Sequence, residues 1–255
     1  MSERILLKLG GSVITGKGGD CIINHAGLRE IAAEIAARDN LSLLLVHGAG
    51  SCGHPEAHRY GIARGVNREN RGGIAITHRA VSELNDAVVG ALREQRVEAV
   101  GVHPMDGCLA GNGRIIAYGY RHISRMLDLG IVPVLHGDVV MDEVRGACII
   151  SGDQLVRYFG AVLAPDRIGL ATDVPGVLAD GQVQPLITPA SAPGLVIGGS
   201  GHVDVTGGMK GKIQELLELA SAGIRSEIFP VSRLGDFLDG RTTGGTVVSG
   251  GDDGE

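Results

Sequence analysis

Three glycine-rich segments of the sequence each carry a lysine or a histidine, a combination that suits phosphate groups. The first runs from Lys8 to Ser12 and contains Gly10 and Gly11 directly after an apolar run. Successive glycines let backbone N–H groups approach an anion, and Lys8 adds a fixed positive charge. A plain tight turn with an exposed Lys17 is the alternative for this segment.

The last of the three segments, Thr206 to Lys212, stands at the start of a helical pattern and holds three glycines and two lysines. Free N–H groups at a helix N-terminus attract anions, so this composition suits the β and γ phosphates of a nucleotide. Lysine opposes the helix dipole at this end. A functional role therefore explains its position better than a purely structural one.

The middle segment, Gly48 to Gly53, matches the pattern G-x-G-x-x-G of dinucleotide-binding proteins. That fingerprint requires an acidic residue at the end of a strand about 20 residues later, but Glu69 at this distance lies in a polar stretch. After the glycines, His54-Pro55-Glu56 predicts the beginning of a helix, with proline at its first position. His54 then lies beside free N–H groups, where it either binds an anion or simply caps and packs the helix.

Two other kinds of site are excluded by their patterns. Gly11 to Lys17 nearly matches the Walker A motif, but Gly18 stands where a serine or threonine should hold Mg²⁺. His54 and His58 have helical spacing without a third ligand, so no zinc site and no other dedicated metal site is predicted.

The composition favours an α/β protein. The 255 residues include 44% hydrophobic residues but no tryptophan, three phenylalanines and four tyrosines, so the core must be aliphatic. A net charge of -6 without a Lys/Arg cluster argues against nucleic acid and anionic membranes as partners. No apolar run approaches the length of a bilayer span. The cysteines at 21, 52, 108 and 148 lack CxxC spacing, which predicts free thiols in a cytoplasmic protein.

Segments that read as strands alternate with segments of helical period. Strands are predicted at 4–9, 41–46, 99–102, 131–135, 167–170 and 226–231, and helices at 25–38, 74–96, 120–129, 154–159 and 209–222. This alternation predicts a mostly parallel central sheet covered by helices on both faces. Turn-rich pieces at 106–113 and 137–145 predict β-hairpins that project from it. No interdomain linker interrupts residues 1–255, and the last six residues predict a disordered tail.

The order of these motifs resembles that of the amino acid kinase family. The resemblance rests on four segments that span nearly the whole chain, namely 7–12, 151–155, 172–174 and 204–209. It implies a three-layer sandwich, with a phosphoacceptor lobe at about 1–160 and a nucleotide lobe at about 161–255. It also implies ATP as phosphate donor, Mg²⁺ held mainly through the ATP phosphates, and a homodimer.

Within this family, the segment from His47 to Pro55 is similar to the loop of isopentenyl phosphate kinases, whose histidine binds the acceptor phosphate. Val13 to Lys17 and the pair Leu84-Asn85 are also similar to that subgroup. Two residues depart from its pattern: Cys52 stands where phenylalanine is usual, and Pro175 where aspartate is frequent. The implied substrate is a small phosphate compound, isopentenyl phosphate.

The resemblance assigns roles residue by residue. The catalytic residues it implies are Lys8, Lys17, Asp153 and Lys212, with Asp153 orienting the lysines. Those at the nucleotide are Lys8, Gly10, Gly11, Ser12, Gly50, Thr172, Asp173, Gly207, Gly208 and Lys212. Those around the acceptor are Ala49, Gly50, Gly53, His54 and Gly152. A fosfomycin-type phosphonate kinase and a non-catalytic nucleotide sensor are the alternatives.

Overall fold

The fold is described from a computed structural model, which covers residues 3–16, 21–39, 41–194 and 208–251. The strands, from β1 to β14, are Arg4–Leu9, Ser42–His47, Ala99–Val102, Cys108–Gly111, Arg114–Tyr118, Val132–His136, Asp138–Asp142, Gly146–Ile150, Arg167–Thr172, Leu178–Ala179, Gln182–Val183, Leu186–Ile187, Ser226–Pro230 and Thr246–Val248. The helices, from α1 to α8, are Gly11–Ile14, His25–Ala36, Gly50–Arg59, Gly72–Glu94, Arg121–Asp128, Gly152–Leu163, Gly208–Ser221 and Leu234–Leu238. Short 3₁₀ helices cover Ile62–Arg64, Pro104–Asp106, Ala192–Gly194 and Val231–Arg233.

Eight strands form one sheet in the order β12-β14-β13-β9-β1-β2-β6-β3. Every neighbouring pair is parallel except β13 and β14. The mostly parallel sheet predicted from the alternation of elements is therefore confirmed. Since β1 lies in its interior, the segments that follow β9, β1, β2 and β6 meet at one edge.

The alternation of side chains along β1 assigns its residues to two cores. Ile5, Leu7 and Leu9 pack in the core beneath α2 and α4, whereas Leu6 packs in the core beneath α6 and α7. Because side chains of a strand alternate between faces, Lys8 must project toward α6 and α7 with Leu6. None of the helices within the described ranges is long and apolar enough to cross a bilayer.

The two hairpins predicted from the turn-rich pieces are present, but they join each other. Strands β4 and β5 form one hairpin, β7 and β8 form the other, and β4 pairs with β7 in parallel. Asp142, at the end of β7, accepts hydrogen bonds from the backbone N–H groups of Asn112, Gly113, Val144 and Arg145. One carboxylate thus fixes the turns of both hairpins.

Helix α3 begins five residues earlier than the sequence predicted. It starts at Gly50, so Pro55 lies inside it and His54 is its fifth residue. Proline favours the first position of a helix. In this structure the glycines that precede Pro55 are helical as well, because contacts with neighbouring segments of the chain fix their backbone. A Cβ on Gly53 would lie 2.5 Å from Cγ1 of Val81 on α4, so α3 packs closely against α4 at this point.

The prediction of free thiols is wrong for two of the four cysteines. Cys21 and Cys52 form a disulfide with a Cα–Cα distance of 4.2 Å, while Cys108 and Cys148 are free and buried. The spacing of the cysteines along the chain did not predict this disulfide, because Cys21 approaches Cys52 only where the chain reverses its direction. Thr15 and Ile23 form an antiparallel bridge, which returns the chain toward α3.

Candidate active site

The loops that follow four neighbouring strands are joined by backbone hydrogen bonds at one edge of the main sheet. The Gly10 N–H donates to the Ala171 carbonyl at 2.8 Å, and the Gly48 N–H donates to the Leu9 carbonyl at 3.1 Å. The Gly137 N–H donates in turn to the carbonyl of His47 at 2.9 Å. The predicted phosphate-binding loops after β1 and β2 therefore lie side by side.

These two loops also interlock through Thr15. Its hydroxyl donates to the Gly11 carbonyl at 2.9 Å and accepts from the Ser51 N–H at 3.1 Å. Gly50, whose φ is +55°, begins α3 in a left-handed conformation that favours glycine. A Cβ there would lie 2.3 Å from the Thr15 hydroxyl oxygen. The start of α3 is thus fixed against α1.

Three charged side chains meet below the loops. The ammonium of Lys8 lies 2.7 Å from Oδ1 of Asp153, and the ammonium of Lys212 lies 3.5 Å from the same oxygen. Lys8 is 5% exposed, and Asp153 and Lys212 are each 9% exposed. Asp153 is held in the first turn of α6, whose start is capped by the Ser151 hydroxyl accepting from the Gln154 N–H. The structure therefore brings three of the four predicted catalytic residues together.

Electrostatics make this cluster a site for an anion. Burial lowers the pKa of Lys8 to about 8, although the Asp153 carboxylate opposes the shift, and Lys212 adds to it. Burial alone would raise the pKa of Asp153, but the Lys212 and Lys8 ammonium groups outweigh it and lower that pKa. The charged cluster carries more positive than negative charge, so an added phosphate would stabilise it.

Gly152 lies between the lysine cluster and the loop after β2. A Cβ on Gly152 would lie 3.0 Å from Cε of Lys8 and 3.1 Å from the His47 carbonyl oxygen. A Cβ on Gly137 would lie 3.4 Å from the Gly152 nitrogen and 3.7 Å from the Ala49 nitrogen. Of the residues that sequence analysis assigned to the acceptor, Gly152 therefore lies beside Lys8, and Gly137 lies close to both Gly152 and Ala49.

On the other side of β1, the loop after β9 contacts α1. The Ser12 hydroxyl donates to Oδ1 of Asp173 at 2.9 Å. The Thr172 hydroxyl donates to the Val174 carbonyl at 2.8 Å, within its own loop. Thr172 thus holds the shape of this loop, while Asp173 is exposed next to Ser12.

The remaining predicted residues have different placements. Lys17 and Gly207 lie outside the described residues. Gly208 is the first residue of α7, with a φ of +55°, and Lys212 follows four positions later. His54 is half-buried in the second turn of α3, not at the helix start where sequence analysis placed it. The first turn of this helix begins instead at Gly50, where the N–H groups of Ser51 and Cys52 donate to the Thr15 hydroxyl and the Ala49 carbonyl.

A buried polar network beneath the loops was missed by sequence analysis. His47 and His136 end the neighbouring strands β2 and β6, and their rings stack with centroids 5.6 Å apart. Nδ1 of His103 lies 2.8 Å from Nε2 of His136, and Asn85 of α4 contacts His47 at 3.0 Å. The signal for this network was the pair His-Gly, which occurs at the end of both strands.

A cavity of about 310 Å³ opens beside the cluster, between the hairpin sheet and α7. Its walls include Gly113, Ser151, Gln154 and Gly211. Ser151 and Gly211 directly precede Gly152 and Lys212, so the cavity lies beside the segments that carry the charged cluster, but Lys8, Asp153 and Lys212 do not line it. In the part of the chain that the structure describes, no group of three or more His, Cys, Asp or Glu residues is arranged to hold a metal ion.

Comparisons with known proteins agree with this geometry. The amino acid kinase family model matches residues 3–230. Isopentenyl phosphate kinase of Haloferax volcanii is 40% identical over 248 residues, covering 96% of this chain and 98% of that protein. The enzyme of the same name from Methanothermobacter thermautotrophicus is 40% identical over 266 residues, covering 96% of this chain and 99% of that protein.

A solved structure of an isopentenyl phosphate kinase superposes with a TM-score of 0.84 at 37% identity, covering 96% of this chain and 99% of that one. The sequence matches cover most of the chain. They agree with the order of strands in the sheet and with the loops at its carboxyl edge. The chain belongs to the amino acid kinase family.

Proposed function

We propose that this protein transfers the γ-phosphoryl group of ATP to the phosphate of isopentenyl phosphate, giving isopentenyl diphosphate and ADP. The observation that carries the proposal is the buried contact of Lys8 and Lys212 with Asp153, beside two interlocked glycine loops. Similarity over nearly the full length to isopentenyl phosphate kinases supports the choice of acceptor.

Phosphoryl transfer requires alignment of the two oxygens and neutralisation of charge on the moving group, so no covalent enzyme intermediate is needed. Lys8 lies between the loops after β1 and β2, where it can contact both the transferred and the acceptor phosphates. Lys212, in the first turns of α7, holds the nucleotide phosphates together with the N–H groups of Gly11 and Ser12. The N–H of Gly10, predicted to join them, donates to the Ala171 carbonyl instead. Asp153 keeps both ammonium groups in place through charged contacts.

The acceptor phosphate occupies the space between Ala49, Gly50 and Gly152, with His54 on the same helix as Gly50. It needs no general base at neutral pH, because the second ionisation of a phosphate monoester lies near pH 6. Lys17 acts on the transferred phosphoryl group in this proposal, and Gly207 on the nucleotide phosphates.

The residues around the cluster fit a nucleotide that brings its own Mg²⁺. Lysines and backbone N–H groups predominate, and they bind phosphate oxygens in preference to a cation. Mg²⁺ would be held mainly through the ATP phosphates and water, where it neutralises charge on the β and γ phosphates. Further parts of the proposal are a homodimer, which the family resemblance supports, and a cytoplasmic location. For this location the free thiols of Cys108 and Cys148 are the remaining support, since Cys21 and Cys52 form a disulfide.

Turnover assays with the purified protein test the proposal. With ATP and Mg²⁺, isopentenyl phosphate is expected to give ADP and isopentenyl diphosphate in equal amounts, measured by a coupled assay and mass spectrometry. Fosfomycin is the comparison acceptor, because a phosphonate kinase of this family would prefer it. Turnover of fosfomycin without turnover of isopentenyl phosphate would indicate a phosphonate kinase. ATP binding without turnover of any acceptor would indicate a nucleotide sensor.

A further inference from the structure

We infer that His47 is a positioning residue, whose ring holds the Gly48 carbonyl inward and thereby directs the Ala49 N–H toward the acceptor phosphate. The inference rests on the proposed function for the identity of the acceptor. The orientation of the peptide group between Gly48 and Ala49 is argued from hydrogen-bond geometry and does not depend on which acceptor binds.

The position of His47 follows from the alternation along β2. Leu43 and Leu45 pack in the core beneath α4, so His47 projects toward the same helix. Its ring is fully buried, with Nδ1 3.0 Å from the Gly48 carbonyl oxygen and Nε2 3.0 Å from Oδ1 of Asn85. A Cβ on Gly101 would lie 2.6 Å from the Asn85 amide, so glycine at this position makes room for it.

The contact with the Gly48 carbonyl defines the tautomer of the ring. A carbonyl oxygen only accepts hydrogen bonds, so Nδ1 must carry the hydrogen. Burial lowers the pKa of His47, and nearby Lys8 also disfavours the charged ring, so the ring is neutral and Nε2 is an acceptor. The Asn85 amide satisfies Nε2 when its NH₂ group faces the ring, and this rotation gives the otherwise unpartnered Nδ2 of Asn85 a hydrogen bond.

The carbonyl of Gly48 and the N–H of Ala49 belong to one trans peptide group and point in opposite directions. Holding the carbonyl against the buried ring therefore turns the Ala49 N–H away from the core. On that side lie Gly137 and Gly152, and Gly152 is next to Lys8. Among the described residues, the Ala49 N–H donates to no protein acceptor, which leaves it available for a phosphate oxygen.

His136 provides a matched control within the same fold. It is equally buried, and its Nδ1 lies 3.0 Å from the Gly137 carbonyl oxygen. The next N–H belongs to Asp138 of β7, a strand that pairs with β8. After β6, the contact between the histidine Nδ1 and the next carbonyl therefore fixes the start of the hairpin sheet. After β2, the same kind of contact orients the Ala49 N–H toward the proposed acceptor phosphate.

The first experiment measures the orientation without any isoprenoid. Nitrogen-15 NMR of the wild-type protein is expected to show His47 as the neutral Nδ1–H tautomer at pH 7. On titration with inorganic phosphate, the Ala49 amide is expected to shift strongly. A neutral Nε2–H tautomer would overturn the inference, and so would an Ala49 amide that does not respond while neighbouring amides of the loop do.

The second experiment uses two substitutions that place a donor at different ends of the ring. Asparagine puts its NH₂ near the position of Nδ1, whereas glutamine puts it near Nε2. His47→Gln is expected to raise KM for isopentenyl phosphate about 10-fold or more, with KM for ATP nearly unchanged, because a hydrogen bond to a charged group is lost. His47→Asn should restore KM for isopentenyl phosphate to within about threefold of the wild type and keep the Ala49 shift on phosphate.

His136→Gln should lower the melting temperature about as much as His47→Gln, with little change in KM for isopentenyl phosphate. Equal rises in this KM for both glutamine variants would mean that His47 acts only through packing, which contradicts the inference. Failure of wild-type turnover with isopentenyl phosphate would contradict the proposed function, and the tautomer and the Ala49 shift would still decide the inference.

Discussion

Gly11 and Gly50 lie so close together that a Cβ on Gly11 would be 2.5 Å from both the nitrogen and the Cα of Gly50. Only backbone stands opposite, and real Cβ atoms essentially never approach other atoms so closely. The two loops can therefore lie side by side only while residue 11 is glycine.

Gly11→Ala is expected to separate the two loops and to lower kcat/KM about 100-fold or more, because misplacement by about 1 Å is enough for such a loss. Stability should fall by a few kcal/mol, in the range of overpacked sites. Gly90→Ala is the control, since nothing lies within 4 Å of a Cβ on this α4 residue. That variant should keep activity and gain up to about 1 kcal/mol. Steady-state kinetics and urea denaturation measure both effects, and wild-type kinetics of Gly11→Ala would contradict the close contact.

Asp153→Asn is expected to change the pH dependence of the reaction. Lysine is charged below its pKa, so kcat/KM for ATP should fall as pH rises through the Lys8 pKa of about 8. Asp153 raises the pKa of Lys8, so its loss should move this fall to lower pH and reduce kcat about 10- to 100-fold. Asp236→Asn, in a surface cluster with Arg233 and Arg241, should leave the profile unchanged. A profile of Asp153→Asn identical to the wild type would show that Asp153 does not tune Lys8.

His54→Ala is expected to raise KM for isopentenyl phosphate about 10-fold or more, while KM for ATP changes little, because the proposed contact is to the acceptor alone. His54→Gln keeps a donor and should be milder. His58→Ala, an exposed histidine one turn later on α3, is the control and should behave like the wild type. An equal rise of both Michaelis constants in His54→Ala would place His54 outside the acceptor site.

Opening the disulfide between Cys21 and Cys52 is expected to destabilise the protein. The bridge closes a loop with a sequence separation of 31, for which loss of the crosslink lowers the free energy of unfolding by about 3 to 4 kcal/mol in the chain-entropy description. Cys21→Ser and treatment with a phosphine reductant should give the same decrease. Reductant should have no further effect on Cys21→Ser. An unchanged melting temperature after complete reduction, verified by thiol counting, would contradict this expectation.

The carboxylate of Asp142 is expected to contribute acid-sensitive stability. Burial raises its pKa, but the N–H donors of Arg145, Gly113 and Val144 outweigh this and lower it to about 2. The contribution of about 2 kcal/mol is therefore complete above the unfolded-state pKa near 4 and is lost as pH falls toward 2. Urea denaturation should show that Asp142→Asn loses this pH-dependent part. The exposed Asp180→Asn should keep it, and equal pH slopes for wild type and Asp142→Asn would rule the assignment out.

Much of the sheet was predictable because its strands are continuous apolar runs between helices of regular period. The predicted bounds of β1 and of β3 match the structure, and β2 differs by one residue at each end. Alternation along β1 was enough to place Lys8 on the face opposite Leu7. The partner on that face, Asp153, needed the family resemblance, because nothing local links residues so far apart in the chain.

Other features depend on tertiary contacts that local patterns do not contain. Pro55 suggested a helix start, but the contacts of Gly11 and Thr15 with Gly50 begin α3 earlier. The disulfide depends on the bridge between Thr15 and Ile23. The pairing of β4 with β7 depends on how two hairpins meet. Each of these residues can be read from the sequence, but the sequence alone did not predict which residue it contacts.

The central position of β1 also affects how the chain can fold. Its residues pair with β2 on one edge and with β9 on the other, so Ile5 meets both Leu43 and Arg167. A chain that ended near residue 160 would leave the second edge of this apolar strand open, and open apolar edges promote aggregation. The proposed phosphoacceptor and nucleotide lobes therefore share one sheet, in which β1 of the first lobe pairs directly with β9 of the second. During synthesis, β1 leaves the ribosome long before β9, so the sheet can close around β1 only after Arg167–Thr172 has been made.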